Sequence, residues 1–172
     1  MQLERRAVTP DYVVSPVGSG AYASGLFLPF VDDERTHLVG VQAAGRDEDY
    51  ASVASKGVMY GTKSFVLQDG EGLPIYRDTE AGGLAHNAVG PQHATWADRG
   101  QAFYTLVNDF DAAQAARALA VYEGVLVNQE TGHALAYASR LAQTLEPTAN
   151  IIVGITGSGH RDLSRLHTKG DA

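Results

Sequence analysis

The segment between residues 11 and 30 most constrains what this chain can fold into. Residues 12–17, Tyr-Val-Val-Ser-Pro-Val, are apolar and β-branched, which predicts a short buried strand. Residues 18–20, Gly-Ser-Gly, predict a tight turn, and residues 21–30 predict a helix. A strand that passes through glycines into a helix presents backbone N–H groups, and the helix N-terminus adds a partial positive charge. This pattern favours a phosphate or another anion, although it also closes βα units that bind nothing.

Further buried apolar runs predict the rest of a sheet. Residues 37–41 complete a βαβ unit with the first strand, so these two strands are expected to be parallel. The other predicted strands are residues 102–107, 124–127 and 150–155, and a hairpin is predicted from residues 57–67 and 73–76 around a turn at 68–72. Helical spacing of apolar residues predicts helices at 109–122, after an Asn108 N-cap, and at 130–145, with a helical turn at 93–99.

This order of elements predicts an α/β fold. We expect one three-layer lobe, residues 1–172, with a mostly parallel sheet and helices on both faces. A second glycine loop, residues 156–160, follows the last predicted strand. Because ligands bind at the carboxyl ends of strands in open α/β sheets, the two glycine loops together predict a small-molecule anion site at that edge.

Composition narrows the classes of partner. The net charge is −7 without a basic run, which argues against nucleic acid and against an anionic membrane surface. The absence of cysteine excludes disulfides and thiolate zinc sites, and the six histidines lack metal-ligand spacing. No apolar run approaches the length of a membrane span, and residues 1–10 are too polar for a signal peptide. We therefore expect a cytoplasmic protein with a small-molecule substrate.

A set of short motifs runs from about residue 10 to about residue 165. They are Pro-Asp-Tyr-Val-Val (10–14) with Val-Gly-Ser-Gly (17–20), Gly-Leu-Phe (25–27), Gly-Val-Gln-Ala-Ala-Gly (40–45), Gly-Thr-Lys (61–63), Leu-Gln-Asp (67–69), Val-Gly-Pro-Gln-His (89–93), Glu-Gly (123–124), Glu130 with His-Ala-Leu-Ala-Tyr-Ala (133–138), and Thr-Gly-Ser-Gly (156–159) with Asp162. In their order and spacing they resemble the C-terminal part of the tryptophan synthase β chain, a fold-type II pyridoxal phosphate (PLP) enzyme. The resemblance implies β-replacement chemistry of the kind that joins L-serine and indole into L-tryptophan.

The resemblance also implies a cofactor site. Its members would be the phosphate loop and the residue that faces the pyridine nitrogen, namely Gly18, Ser19, Gly20, Ala21, Tyr22 and Thr156. Ser19 stands where the family has glycine, Ala21 where it has serine, and Tyr22 where it has asparagine. Each lost side-chain hydrogen bond to the phosphate would cost about 1–3 kcal/mol, so weakened PLP binding is implied.

Other site roles follow from the same resemblance. Glu130 corresponds to a glutamate beneath the cofactor and is the predicted catalytic residue, although an acid in the first turn of a helix also stabilises the helix dipole. Gln42, where the family has glutamate, and His86 are predicted to line the substrate pocket. The backbone carbonyls of Gly18, Tyr104 and Leu106 correspond to a monovalent-cation site.

The resemblance covers one lobe of the family's fold. The family's Schiff-base lysine and the acid that handles indole belong to an N-terminal lobe that we expect this chain to lack. The chain's lysines, Lys56, Lys63 and Lys169, do not occur in the context of that lysine. The lobe would then need a separately encoded N-terminal lobe, and its uncovered face predicts a homo-oligomer as the substitute.

Three interpretations stay open. The favoured one is half of a PLP-dependent lyase that works only with a partner lobe. The second is a non-catalytic lobe that binds a small anion or a protein partner, which the altered phosphate loop, Gln42, and Phe103 in place of a family aspartate favour. The third is a PLP-independent site for an indole-like molecule, in which His86, His93 or His160 acts as an acid or base near neutral pH.

Overall fold

The computed structural model describes residues 8–44 and 55–163, and strand β1, Tyr12–Pro16, lies at its centre. Val13 and Val14 are both fully buried, although successive side chains of a strand point to opposite faces of a sheet. Consecutive buried residues are typical of a parallel strand that is covered on both faces. The predicted first strand is therefore confirmed as the central strand of a middle layer.

Three further strands extend the sheet from β1. Strand β2 (His37–Ala43) pairs with one edge of β1, and β6 (Ile151–Val153) pairs with the other. Strand β5 (Ala102–Val107) pairs with the far edge of β2, which gives the order β5-β2-β1-β6. All three pairings are parallel, so the carboxyl ends of the four strands meet at one edge.

Helices cover both faces of this sheet, which confirms the three-layer prediction. On one face, α1 (Ala21–Phe27) and α2 (Pro91–Asp98) contribute Phe27 and Trp96 to a core that contains Val13. On the other face, α3 (Asp109–Glu123) and α4 (Gln129–Ala142) contribute alanines to a core that contains Val14. The predicted N-cap is also confirmed, because the Asn108 side chain accepts a hydrogen bond from the Asp111 N–H.

The predicted hairpin between residues 57–67 and 73–76 is wrong, because the segment predicted as its first strand folds into a hairpin of its own. Strands β3 (Ser55–Met59) and β4 (Thr62–Val66) are antiparallel and are joined by Tyr60 and Gly61, which have φ values of 52° and 72°. At the predicted turn, the Asp69 carboxylate accepts the N–H groups of Glu71 and Leu73, which makes a separate local turn. Residues 73–76 are therefore not a strand and make only an isolated bridge between Pro74 and Gln68.

The predicted strand at residues 124–127 is wrong. Gly124 ends α3 with φ 67°, a left-handed conformation that glycine adopts without strain, and Val127 makes only an isolated bridge with Ser158. The sequence also predicts a loop at 43–56 and a short helix at 161–167, and most of each lies outside the described residues. Within the described ranges, no helix is both long enough and apolar enough to span a membrane.

Candidate cofactor site at the carboxyl edge of the sheet

The first glycine loop is shaped by close approach of other parts of the chain. A Cβ atom on Gly18 would lie 2.0 Å from the carbonyl oxygen of Gly83 and 3.0 Å from the ring of His86. Gly20 has φ 96°, and a Cβ atom there would lie 2.2 Å from Nε2 of His93. Both glycines are therefore required by the packing, and Gly20 also by its backbone conformation.

The helix after this loop leaves the donors of its first turn uncapped. Gly20 is the N-cap of α1, and no side chain of the described residues caps that helix end. Ala21 and Tyr22, which stand in place of the family's serine and asparagine, are both exposed. The backbone N–H groups at the start of α1 thus stay available to an anion, which fits the phosphate end of PLP.

A buried histidine supports the loop from inside the core. His93 lies on α2, is 1% exposed, and places Nε2 2.8 Å from the Gly20 carbonyl and Nδ1 2.7 Å from the Tyr104 hydroxyl. Because a carbonyl only accepts, Nε2 carries the proton, and Nδ1 accepts from Tyr104. Burial lowers the pKa of His93 and raises the pKa of Tyr104, so both side chains are neutral near pH 7. His93 therefore lies in a helix, as the predicted helical turn at 93–99 implies, and its buried side chain supports the first glycine loop.

Tyr22 connects the first glycine loop to the second. Its hydroxyl donates to the Ile155 carbonyl at 3.2 Å. Its ring lies against Gly154, where a Cβ atom would be 2.9 Å from Cε1 of Tyr22. The two glycine loops therefore lie side by side at the carboxyl edge of the sheet, as the sequence predicts.

Glu130 is linked to the first loop through Gly83. Its Oε1 accepts the Gly83 N–H at 2.8 Å, and the Gly83 carbonyl packs against Gly18. Glu130 also lies in the first turn of α4, where a negative charge is stabilised by the helix dipole. The structure thus brings Glu130 next to the predicted phosphate loop, and its catalytic role stays a prediction.

Thr156 is bonded to the N-terminus of α4. Its hydroxyl donates to Asn128 Oδ1 at 3.2 Å, and its N–H donates to Thr131 Oγ1 at 3.0 Å. Asn128 Oδ1 also accepts the N–H and the hydroxyl of Thr131, at 3.2 Å and 2.6 Å. The Thr156 oxygen keeps lone pairs for a ligand donor, while its proton points to Asn128. Asn128 and Thr131 were not among the predicted site residues, although an asparagine just before a predicted helix is the same signal that identified Asn108.

Glu130 and Thr156 line one open groove. Its volume is about 450 Å³, and its other lining residues are Asn128, Gly157, Ser158, His160, Arg161 and Asp162. The His160 ring contacts the Ser158 hydroxyl, and both side chains are exposed. Of His86, His93 and His160, the three histidines considered as an acid or base, His160 lines this groove. Arg161, which the sequence analysis did not single out, adds a permanent positive charge.

The other predicted site residues lie elsewhere. Gln42 lines a separate cavity of about 310 Å³, together with Tyr104 and Leu106 of β5. His86 lies beside Gly18 and does not line the cavity that Gln42 lines, and the role of these two residues in a substrate pocket stays a prediction. Of the predicted cation-site residues, Tyr104 and Leu106 lie on β5, whereas Gly18 follows β1. Strand β2 lies between these two strands. Within the described part of the chain, no group of three or more histidine, aspartate or glutamate residues could hold a metal ion.

A model of a known protein family matches most of this chain. The family model described as "Pyridoxal-phosphate dependent enzyme" matches residues 2–157. The chain belongs to the PLP-dependent enzyme family. This match confirms the family to which the motifs point.

Tryptophan synthase β chains are among the relatives of this PLP-family chain. It is 37% identical to that of Nitrosomonas europaea, 37% to that of Leptothrix cholodnii and 38% to that of Albidiferax ferrireducens, each over 163 residues. Each match covers 91% of this chain, but only 41%, 38% and 38% of the relatives. The chain therefore spans about two fifths of the length of these relatives.

A solved structure shares the fold. The crystal structure of an O-ureido-L-serine-bound mutant of O-ureido-L-serine synthase superimposes with a TM-score of 0.69. The match covers 99% of this chain and 46% of that chain, with 19% sequence identity. At this identity the likeness concerns the fold alone, and it agrees with the parallel sheet and the helices on both its faces.

Proposed function

We propose that this chain is the cofactor-phosphate lobe of a PLP-dependent β-replacement enzyme of the tryptophan synthase β type. The observation that carries the proposal is the chain of contacts from Gly18 to Gly83 and from Gly83 to Glu130. It joins the uncapped start of α1 to the predicted catalytic carboxylate. Thr156 and Glu130 share one groove beside this segment.

The chain's own residues divide the work of binding. PLP, when bound, supplies an electron sink for negative charge that develops on the substrate. The N–H groups at the start of α1 would hold its phosphate, and the Thr156 hydroxyl would meet the edge of its ring. Glu130 holds Gly83 in place over the loop, and its negative charge faces the groove.

The proposed reaction needs a second lobe to supply the cofactor-linking lysine. Lys56 instead pairs with Asp98 at 2.9 Å, and Lys63 is exposed on β4. At the carboxyl edge, Tyr22 is 47% exposed and Ile155 is 51% exposed, which leaves an apolar strip for that lobe to cover. The proposed substrates are an amino acid such as L-serine and indole, and the proposed partner is a separately encoded N-terminal lobe or another copy of this chain.

A titration with PLP tests the cofactor site. Trp96 is a suitable probe, because its ring lies 5.1 Å from that of His93, which in turn bonds to Gly20. We expect saturable quenching of Trp96 in the native chain. The double variant Ala21→Ser/Tyr22→Asn restores two side-chain donors and should bind PLP at least about tenfold more tightly. Tyr122→Asn, an exposed change on α3, should have no effect.

A mixing experiment tests the partner lobe. The chain is combined with the N-terminal lobe of a tryptophan synthase β relative, with PLP, L-serine and indole. We expect a yellow complex that forms tryptophan and that loses its activity with Glu130→Gln. A complex without PLP absorbance and without product would contradict the enzyme-half proposal.

Tyr22 favours a second candidate function, that of a non-catalytic or PLP-independent homologue that binds an indole-like molecule or a protein. Its ring and hydroxyl bridge the gap between the two glycine loops. If this bridge closes the cofactor site, the native chain should not bind PLP, whereas Tyr22→Asn should bind it. That result would replace the first proposal with the second.

A further inference from the structure

Arg77 is a half-buried cation without an acidic partner in the described residues. Its Nη1 donates to the Ala43 carbonyl, and none of the ion pairs in the described part of the chain includes it. Burial lowers the pKa of Arg77, but a guanidinium stays protonated at neutral pH. A cation that is partly withdrawn from water and has no counter-charge among residues 8–44 and 55–163 is costly, so this position is well suited to receive an anion.

Arg77 lies at the wall of a cavity along the outer edge of β5. The cavity has a volume of about 310 Å³ and runs beside residues 102–106. Its surface is mainly apolar, with Phe65 on β4, Val89 before α2, and Ala97 on α2. This size is at the lower end of the range for small-molecule pockets, and an apolar wall with a few polar groups is typical of them.

We propose that this cavity binds a small aromatic carboxylate. The ring would lie between Phe65 and β5, and the carboxylate would bind Arg77. The bond to Ala43 uses one N–H of the guanidinium, and the other N–H groups can form the paired hydrogen bonds that a carboxylate accepts. The volume limits the ligand to a single ring or a small fused ring system.

This site is separate from the proposed cofactor groove. The two cavities have no lining residue in common. Their connection is His93, which lines the carboxylate cavity and donates to Gly20 of the phosphate loop. The proposal therefore does not depend on PLP binding, and carboxylate binding should be unchanged in Tyr22→Asn.

Calorimetric titration with 3-phenylpropionate tests the site, and the uncharged 3-phenylpropanol is the matched ligand control. We expect saturable binding of the acid and at least about tenfold weaker binding of the alcohol, because a charge-assisted pair is lost. Arg77→Gln should weaken binding of the acid by at least about tenfold, and Arg77→Lys, which keeps the charge without the fork, should weaken it less. Arg117→Gln, an exposed change on α3, should bind like the native chain.

Three results would overturn the proposal. They are no saturable binding of the acid to the native chain, equal binding of the acid and the alcohol, and equal binding of the acid to the native chain and a folded Arg77→Gln variant. Circular dichroism establishes that each variant is folded, and Arg77→Lys keeps the test decisive if Arg77→Gln does not fold. If an extended protein segment covers the edge of β5 instead, the acid will not bind, which is the first of these results.

Discussion

The two glycine loops lie side by side but keep their shapes by different means. In the first loop, Gly18 and Gly20 leave room for Gly83 and His93, and no described side chain caps the helix that follows. In the second, polar side chains satisfy the adjacent start of α4, where Asn128 accepts the Thr131 N–H and Asp162 accepts the Gln129 N–H. N–H donors for an anion therefore remain at the first loop, whereas Asn128 and Asp162 already cap the helix beside the second loop.

The largest expected effect comes from adding a methyl group to the first loop. Gly20→Ala should lower the free energy of unfolding by about 3 kcal/mol or more, because φ is 96° and His93 occupies the space. Gly25→Ala is the matched control, since nothing lies within 4 Å of its Cβ position and alanine favours the helix. Urea unfolding measures both. Equal stability of the two variants would contradict the steric account of the first loop.

The second loop should respond to the loss of a cap. Asn128→Ala should cost about 2 kcal/mol, at the upper end for an N-cap, because the hydroxyls of Thr131 and Thr156 also lose their acceptor. Asn108→Ala removes a cap with one recorded partner, the Asp111 N–H, and should cost about 1 kcal/mol. The same urea experiment compares them. A smaller loss for Asn128→Ala would show that the two hydroxyl bonds add nothing to stability.

Acid should destabilise the first loop through His93. Its pKa is lowered in the folded chain, so the unfolded chain binds the proton more readily. Its contribution to stability is present above the usual pKa of about 6.5 and is lost below it, with a slope of up to about 1.4 kcal/mol per pH unit. His93→Gln should remove this slope, whereas His37→Gln, at an exposed position, should keep it. Unfolding free energies measured between about pH 5 and pH 7 decide this, and an unchanged slope in His93→Gln would rule His93 out as its source.

The smallest expected effect is that of the link between the loops. Tyr22→Phe removes only the bond to the Ile155 carbonyl, at a half-exposed position, and should cost less than about 0.5 kcal/mol. PLP affinity in the same variant sharpens the comparison. If the Tyr22→Phe variant and the native chain bind PLP equally, the ring and not the hydroxyl determines access to the site.

The layers of the fold could be predicted because they depend on local patterns. Val13 and Val14 indicate a strand buried on both faces, and Asn108 indicates a helix start. The hairpin turn could not be predicted at Tyr60, because tyrosine gives no signal for φ 52°. The apolar residues at 124–127 indicate a strand, but Gly124 ends the preceding helix there. In the described structure, Val127 pairs with Ser158 in a single isolated bridge.

The candidate site also contains some residues that could be predicted from the sequence and others that could not. Gly18 and Thr156 could be placed at one edge of the sheet because each follows a predicted strand, and the roles that the resemblance implies for them and for Glu130 stay predictions. The support by His93 could not be predicted, since Gly20 and His93 are 73 positions apart in sequence and are joined only by the tertiary fold. Gln42 was assigned to a pocket with His86 by family correspondence alone, and only Gln42 of the two lines the cavity along β5.

The position of β1 has a consequence for how the sheet forms while the chain is being synthesised. Its two neighbours are β2, which follows it closely in sequence, and β6, which pairs Ile151 with Tyr12. During synthesis, the middle of the sheet therefore keeps one open edge until nearly all of the described chain has left the ribosome. Contacts between such distant segments are typical of slow folding. We expect the nascent chain to need protection from self-association at that edge from the synthesis of β1 until that of β6.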